Sequence, residues 1–208
     1  MKGLLLKELY LSLKHFKGYI LLVIMFAMLS GLDGSNMFLM FYPCLLCGMI
    51  PVNLMAYDER SKWDVYTAVL PFTRAQVVAS KYLTGILTQS VILFLVAVSN
   101  LLKMDLADPV AWKSFFSIMG TMILLSAMAT AVPLPFIFKM GVEKGRMGYY
   151  IMIGLASAGS GIAAGIFGNE ISPSELPEIA LPVMILLAVG VYALSWYLSV
   201  RFYEKRDL

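Results

Sequence analysis

Charged residues are scarce in this chain, and the scarcity is organised. Only 14% of its 208 residues are charged, against 60% hydrophobic, and the mean hydropathy is +0.82. A water-soluble domain of this length needs far more charged surface, so the soluble classes are excluded and a membrane protein is expected. Charge is missing in blocks, over 18–32, 34–57, 82–102, 114–138, 147–169 and 179–200. All but the first reach the roughly 20 residues with which an α-helix crosses the hydrocarbon core. The first is short by about a turn. There Lys17 can snorkel to the headgroups, and Asp33-Gly34-Ser35-Asn36 can turn at the far side. Continuous apolar blocks of this length also speak against barrel strands.

The equipment of catalysis is missing too. No Gly-x4-Gly-Lys-Ser/Thr loop is present, so ATP cannot be held here in the P-loop manner. The nearest fragment, Gly141-Val142-Glu143-Lys144-Gly145-Arg146, lacks both the Lys-Ser/Thr pair and the spacing. His15 is the only histidine, too few ligands for a zinc site or a histidine-based protease. Ser90, Ser126, Ser157 and Ser160 have no base beside them. Cys44 and Cys47 have dithiol spacing, but thiols inside an apolar block read first as small packing residues. The chain is therefore not expected to be an enzyme, nor to carry a cofactor or a metal. Nor does any Asp, Glu, Lys or Arg lie deep in a block, where each costs about 2.5–3.5 kcal/mol on insertion scales. Proton-coupled carriers need such a carboxylate as a relay, so its absence favours energy delivered from outside the membrane.

What charge there is sets the topology. Alternate loops collect Lys2, Lys7, Lys14 and Lys17; Arg60, Lys62, Arg74 and Lys81; Lys139, Lys144 and Arg146; and Arg201, Lys205 and Arg206. The opposite side keeps only Lys103 and Lys113. The positive-inside rule then places both termini in the cytoplasm of a cell, expected to be bacterial. This split is an orientation signal and gives no reason to propose nucleic-acid binding. A signal peptide over residues 1–32 is the competing reading, but a patterned helix precedes its apolar run and no small-x-small cleavage site ends it. The expected fold is all-α: one transmembrane domain over 1–208, with six spans near 18–32, 35–57, 82–102, 114–138, 148–168 and 179–201.

Three features stand apart from the plain spans. Residues 2–17 place Leu5, Leu6, Leu9, Leu13 and Phe16 on one stripe with Lys7 and Lys14 opposite, which reads as an amphipathic elbow helix lying on membrane lipid. Pro43 and Pro51 in the second span, and Pro133 and Pro135 in the fourth, predict kinks or local unwinding. The fifth span is lined with small residues, among them Ser157, Gly161 and Gly165. These suit close packing within the chain, a contact with a second copy, or the wall of a path. Beyond it, residues 170–178 hold two prolines and three carboxylates, which read as a structured outer loop.

The loop over 58–81 is the most informative stretch. Thr73 and Gln76 have capping-box spacing, with Phe72 and Val77 placed as the hydrophobic staple, so a helix starts at Thr73 and runs into the third span. Upstream, Trp63, Tyr66, Val69 and Leu70 form a second amphipathic piece among Asp58, Glu59, Arg60, Lys62 and Asp64, and Pro71 separates the two. Exposed aromatics with a defined cap suggest a docking surface; the plainer alternative is aromatics at headgroup level.

These residues resemble the first cytoplasmic loop of small six-span permeases of ATP-binding-cassette exporters, the ABC-2 type. The likeness rests on Asp58-Glu59, Ser61-Lys62-Trp63-Asp64, Leu70-Pro71 and Val78-Ala79-Ser80-Lys81-Tyr82, with the Lys2-to-Tyr10 opening and the six-span layout in support. Similar permeases export amphipathic peptides such as phenol-soluble modulins. The resemblance implies a separate ATPase subunit carrying ATP and Mg, docked on a coupling helix in this loop through Asp58, Glu59, Lys62, Trp63, Tyr66, Leu70, Pro71, Thr73, Arg74 and Gln76. It also implies a second permease copy or homologue, and a path lined by the second and fifth spans, near Pro43, Pro51, Ser157, Gly161 and Gly165. The expected function is export of a hydrophobic or amphipathic cargo by alternating access. The rivals are a substrate-capture subunit of an energy-coupling importer, which lacks so elaborate a loop, and a membrane assembly protein that moves nothing.

Overall fold

The computed structural model describes residues 2–15, 17–32, 37–102, 104, 108–145, 147–151, 154 and 180–205. Every regular element among them is helical: α1 (Lys2–His15), α2 (Lys17–Leu32), α3 (Met37–Arg60), α4 (Trp63–Val69), α5 (Arg74–Leu101), α6 (Pro109–Ala131), α7 (Pro133–Met140), α8 (Val142–Gly145) and α9 (Ala180–Glu204). Residues 147–151 are helical as well. Among the described residues three helical stretches, Arg74–Leu101, Pro109–Met140 and Leu181–Glu204, are long and apolar enough to cross a membrane. They coincide with the expected third, fourth and sixth spans. Most of the expected fifth span, with Ser157, Ser160, Gly161 and Gly165, lies outside the described residues, as do Phe16, the Asp33–Asn36 turn and the 170–178 loop.

Local chemistry fixes several helix ends. Asp108 caps α6 by accepting from the Val110 N–H at 2.9 Å, and Pro109 occupies the first turn, where its missing N–H costs nothing. The capping box at α5 is closed: Thr73 Oγ1 accepts from the Gln76 N–H, and Gln76 Oε1 accepts from the Thr73 N–H. Phe72 packs against the apolar cluster that contains Val77, as the staple requires.

The centre of the bundle is α3 against α5 and α6, where Cys44, Cys47, Ile50, Leu54, Ile92, Val96, Met119 and Met122 form one buried cluster. Both thiols are free and buried in it, the placement expected of packing residues. At Gly48 a Cβ would meet the Ala129 Cβ at 2.6 Å, so α3 and α6 touch nearly backbone to backbone. The helix α2 lies against α3 and α5, and α9 packs along α6, α7 and α5.

The prolines behave differently in the two helices that hold them. The helix α3 runs unbroken through Pro43 and Pro51, whereas the Pro109–Met140 stretch is divided at Val132 into α6 and α7. Pro135 has no N–H to give the Ala131 carbonyl four residues back. Ser195 on α9 supplies the missing donor, at 2.5 Å. Because the Ser195 proton is committed there, the neighbouring bonds have a fixed sense. Ser199 donates to the Tyr82 phenol oxygen (2.7 Å), and the Tyr82 O–H donates to Ser195 (2.6 Å). Ser195→Ala should therefore cost about 1–3 kcal/mol by stranding buried polar groups. That cost should shrink when Pro135→Ala returns a backbone donor to Ala131. Unfolding in detergent of both single variants and the double variant measures this, and strictly additive losses would refute the assignment.

Candidate functional site: a charged hub at one end of the bundle

Four charged side chains meet where α1, α3 and α5 converge. Because the cap fixes the start of α5 at Thr73, Lys81 falls a little over two turns in, on the side facing α1 and α3. Its ammonium is buried, and it donates to Glu8 Oε1 at 2.7 Å and to the Asp58 carboxylate. Glu8 projects from the inner face of α1, in line with the buried Leu4 and Ser12. Asp58 stands near the end of α3 and is 5% exposed. The fourth member, Lys7, donates to Asp58 Oδ1 at 2.5 Å and to Glu8 Oε1 at 3.2 Å. The same ammonium lies over the Trp63 ring of α4, 4.2 Å from its centroid.

Two carboxylates against two ammoniums leave the cluster formally neutral, which suits a site at the edge of a membrane. The Glu8 and Asp58 carboxylates return to the Lys81 ammonium the solvation that burial takes from it. The arrangement is structural rather than catalytic: every charge is spent on a neighbouring helix.

Other contacts tie further elements to this end. Glu59 Oε2 accepts from the Val142 N–H at 2.9 Å, at the start of α8, where Gly141 takes a φ of 81° that an L side chain would resist. Arg74 Nη1 donates to the carbonyls of Tyr203 and Glu204, at 3.2 and 2.6 Å, and so closes the end of α9. The N-terminal helix, the 58–81 segment, the loop after α7 and the end of α9 thus share one end of the bundle. This is the end where the sequence gathers its basic residues.

The sequence-predicted residues divide into two sets. Asp58 is engaged inside the protein, Glu59 is exposed and accepts from the Val142 N–H, Thr73 and Gln76 serve the α5 cap, and Arg74 holds α9. Trp63 is half-buried against Lys7. Lys62 forms an exposed left-handed turn (φ 53°) between α3 and α4. Tyr66 (65% exposed), Val69 (85%) and Leu70 (39%) present an apolar strip to the outside, and Pro71 is exposed beside them. On α1, Leu5 and Leu9 are half-buried and Leu13 is exposed, while Pro43 and Pro51 are buried among neighbouring helices.

Site selection from sequence passed over Lys7, Glu8 and Lys81. A signal existed: Glu8 is the only acid in the first 32 residues, and Lys81 is the last charge before a long apolar block. A cavity of about 600 Å³ was equally invisible; it lies between α5, α6 and α9, with Tyr82, Gln89, Tyr192 and Trp196 on its walls. Tyr82 and Tyr192 spend their hydroxyls within the chain, and the Gln89 amide donates to the Cys44 and Ser126 carbonyls. The cavity is thus mostly apolar and offers no reactive group.

A profile describing ABC-2 family transporter proteins matches residues 3–204. The chain belongs to the ABC-2 transporter family. Comparison with curated proteins returned no match. As an ABC-2 protein it is a membrane permease subunit of an ABC transporter, and an ABC ATPase is its implied partner. The charged hub is thus part of a permease whose motor lies elsewhere.

Lys81→Met would leave Glu8 and Asp58 sharing a buried site with too little positive charge. A loss of about 3–5 kcal/mol is expected, read as a lowered unfolding midpoint in detergent. Lys7→Met, at a partly solvated position, should cost less. Equal stability of Lys81→Met and the unaltered chain would refute the hub.

Proposed function

We propose that the chain is a six-span exporter permease, with the end that carries the hub in the cytoplasm of a bacterial cell and an ATPase docked on α4. The observation that carries this reading is the exposed strip of Tyr66, Val69 and Leu70 on a short helix whose base is pinned to the bundle. Large apolar side chains held outward beside fixed charges suit a protein interface better than a solvated loop. The charge asymmetry supports the orientation, and the shared location of both described chain ends agrees with an even number of spans. ATP and Mg belong to the partner subunit. Two permeases, identical or related, enclose the path, and its apolar walls suit a hydrophobic or amphipathic cargo such as a peptide, lipid or drug. The elbow helix α1 rests on lipid through Leu6, Tyr10 and Leu13, all exposed.

Closing of the paired ATPases would move α4 and, with it, α3 and α5, alternately opening the path to either side. Co-purification tests the docking surface. The unaltered chain should bring down a soluble P-loop ATPase. Tyr66→Asp with Val69→Asp should weaken that capture about tenfold or more while membrane insertion is retained. Undiminished capture by the double variant would sink the assignment of α4.

A further inference from the structure

We infer that Lys7 is the positioning residue through which movement of α4 reaches the N-terminal helix, making α1 and α4 travel as one body. The inference rests on the docking of an ATPase at α4 and goes beyond it, because nothing in docking requires α1 to follow. The backbone of α4 packs on α3, and the preceding turn at Lys62 sits in a left-handed conformation that can serve as a hinge. Left to that connection, α4 could swing alone. The Lys7 ammonium opposes such a swing, since it lies over the Trp63 ring while donating to Asp58 and Glu8. Glu8 in turn accepts from the buried Lys81. A push on α4 therefore passes from Trp63 to Lys7, and from there into α1, α3 and α5 together.

Partial exposure of Lys7 matters here: its side chain is 21% exposed against 4% for Lys81. Lys81 is the fixed centre that holds the three helices, whereas Lys7 is the peripheral member that reaches out to α4. Removing Lys7 should loosen one contact without collapsing the hub. Trp63→Leu deletes the same contact from the other side and leaves every charge in place.

The test uses the intact complex of permease and ATPase in lipid nanodiscs, with spin labels at Lys14→Cys and Ala68→Cys in one sample and Ala68→Cys and Lys113→Cys in another, both labelled permeases retaining the ATPase. Cys44 and Cys47 are buried and remain unlabelled. On trapping with ATP and vanadate, the 68–113 separation should shift while the 14–68 separation stays constant. In Lys7→Met the ATPase should still bind and the 68–113 shift should persist, but the 14–68 separation should now change. Lys7→Arg should restore its constancy. The inference is overturned if the 14–68 separation changes in the otherwise unaltered chain, if it stays constant in Lys7→Met, or if neither pair responds. Failure of the unaltered permease to bind any ATPase is a separate outcome, which brings down the docking reading and this inference with it.

Discussion

The buried Lys81 ammonium is the constraint on which the arrangement of this end of the protein depends. An ammonium removed from water has to recover its lost solvation from fixed oxygens, and among the described residues the acids in reach come from two other helices. Glu8 is available only if α1 lies across the start of α5, and Asp58 only if α3 ends at the same level. One side chain thereby sets the height of three helices relative to one another. Replacing such a cluster with hydrophobic residues of matching shape is often neutral or stabilising, so net stability is a weak reason for its presence. Its specific effect is register. Apolar helices slide past one another at little cost, whereas a buried charge that loses its partner does not.

The neighbouring residue does comparable work in another direction. Successive residues on a helix point about 100° apart, so Lys81 and Tyr82 address different partners. Lys81 faces α1 and α3, while Tyr82 faces α9 through Ser195 and Ser199. The Tyr192 hydroxyl donates back to the Tyr82 carbonyl, which strengthens the same seam. Ser195 in turn satisfies the carbonyl released by Pro135, so the break between α6 and α7 and the docking of α9 are one event. Two adjacent residues of α5 thus join the N-terminal half of the chain to its last helix. In hydrocarbon, where no water replaces a lost hydrogen bond, these few polar links decide which apolar surfaces meet.

Much of the architecture was legible in the sequence, and the reasons are physical. Charge-free blocks mark helices because a membrane tolerates little else, and α5, α6 with α7, and α9 fall where the blocks lie. The start of α5 was legible because a capping box is a local code. The direction of the charges was not. Asp58 sits beside aromatics in a hydrophilic stretch, which reads as a surface, and only the approach of α1 and α5 buries it. The leucine stripe of α1 says nothing of the opposite face: Leu6 and Leu13 are exposed, while the face turned to the protein carries Leu4, Glu8 and Ser12. An acid among basic and apolar residues carries more information than the apolar periodicity around it, because burial of a charge demands a particular partner and burial of a leucine does not.

If an ATPase docks on α4 as proposed, that asymmetry would separate recognition from transmission in the 58–81 segment. Apolar contacts are tolerant of geometry, and Tyr66, Val69 and Leu70 stand outside the hub, where a partner would be gripped and released without disturbing buried charge. Ionic contacts between fixed groups are intolerant of geometry, and Asp58, Lys81, Glu8 and Lys7 lie inside, where displacement of one group pulls on the rest. A permease driven by an external motor needs both properties within a few ångström. A docking surface built from buried ion pairs would exact a desolvation cost at every engagement, and a bundle joined only by leucines would let the stroke dissipate as sliding. The half-buried Trp63 stands between the two sets, with its ring against Lys7 and its helix leading to the exposed strip, so on the proposed docking the border between recognition and transmission would run through that side chain.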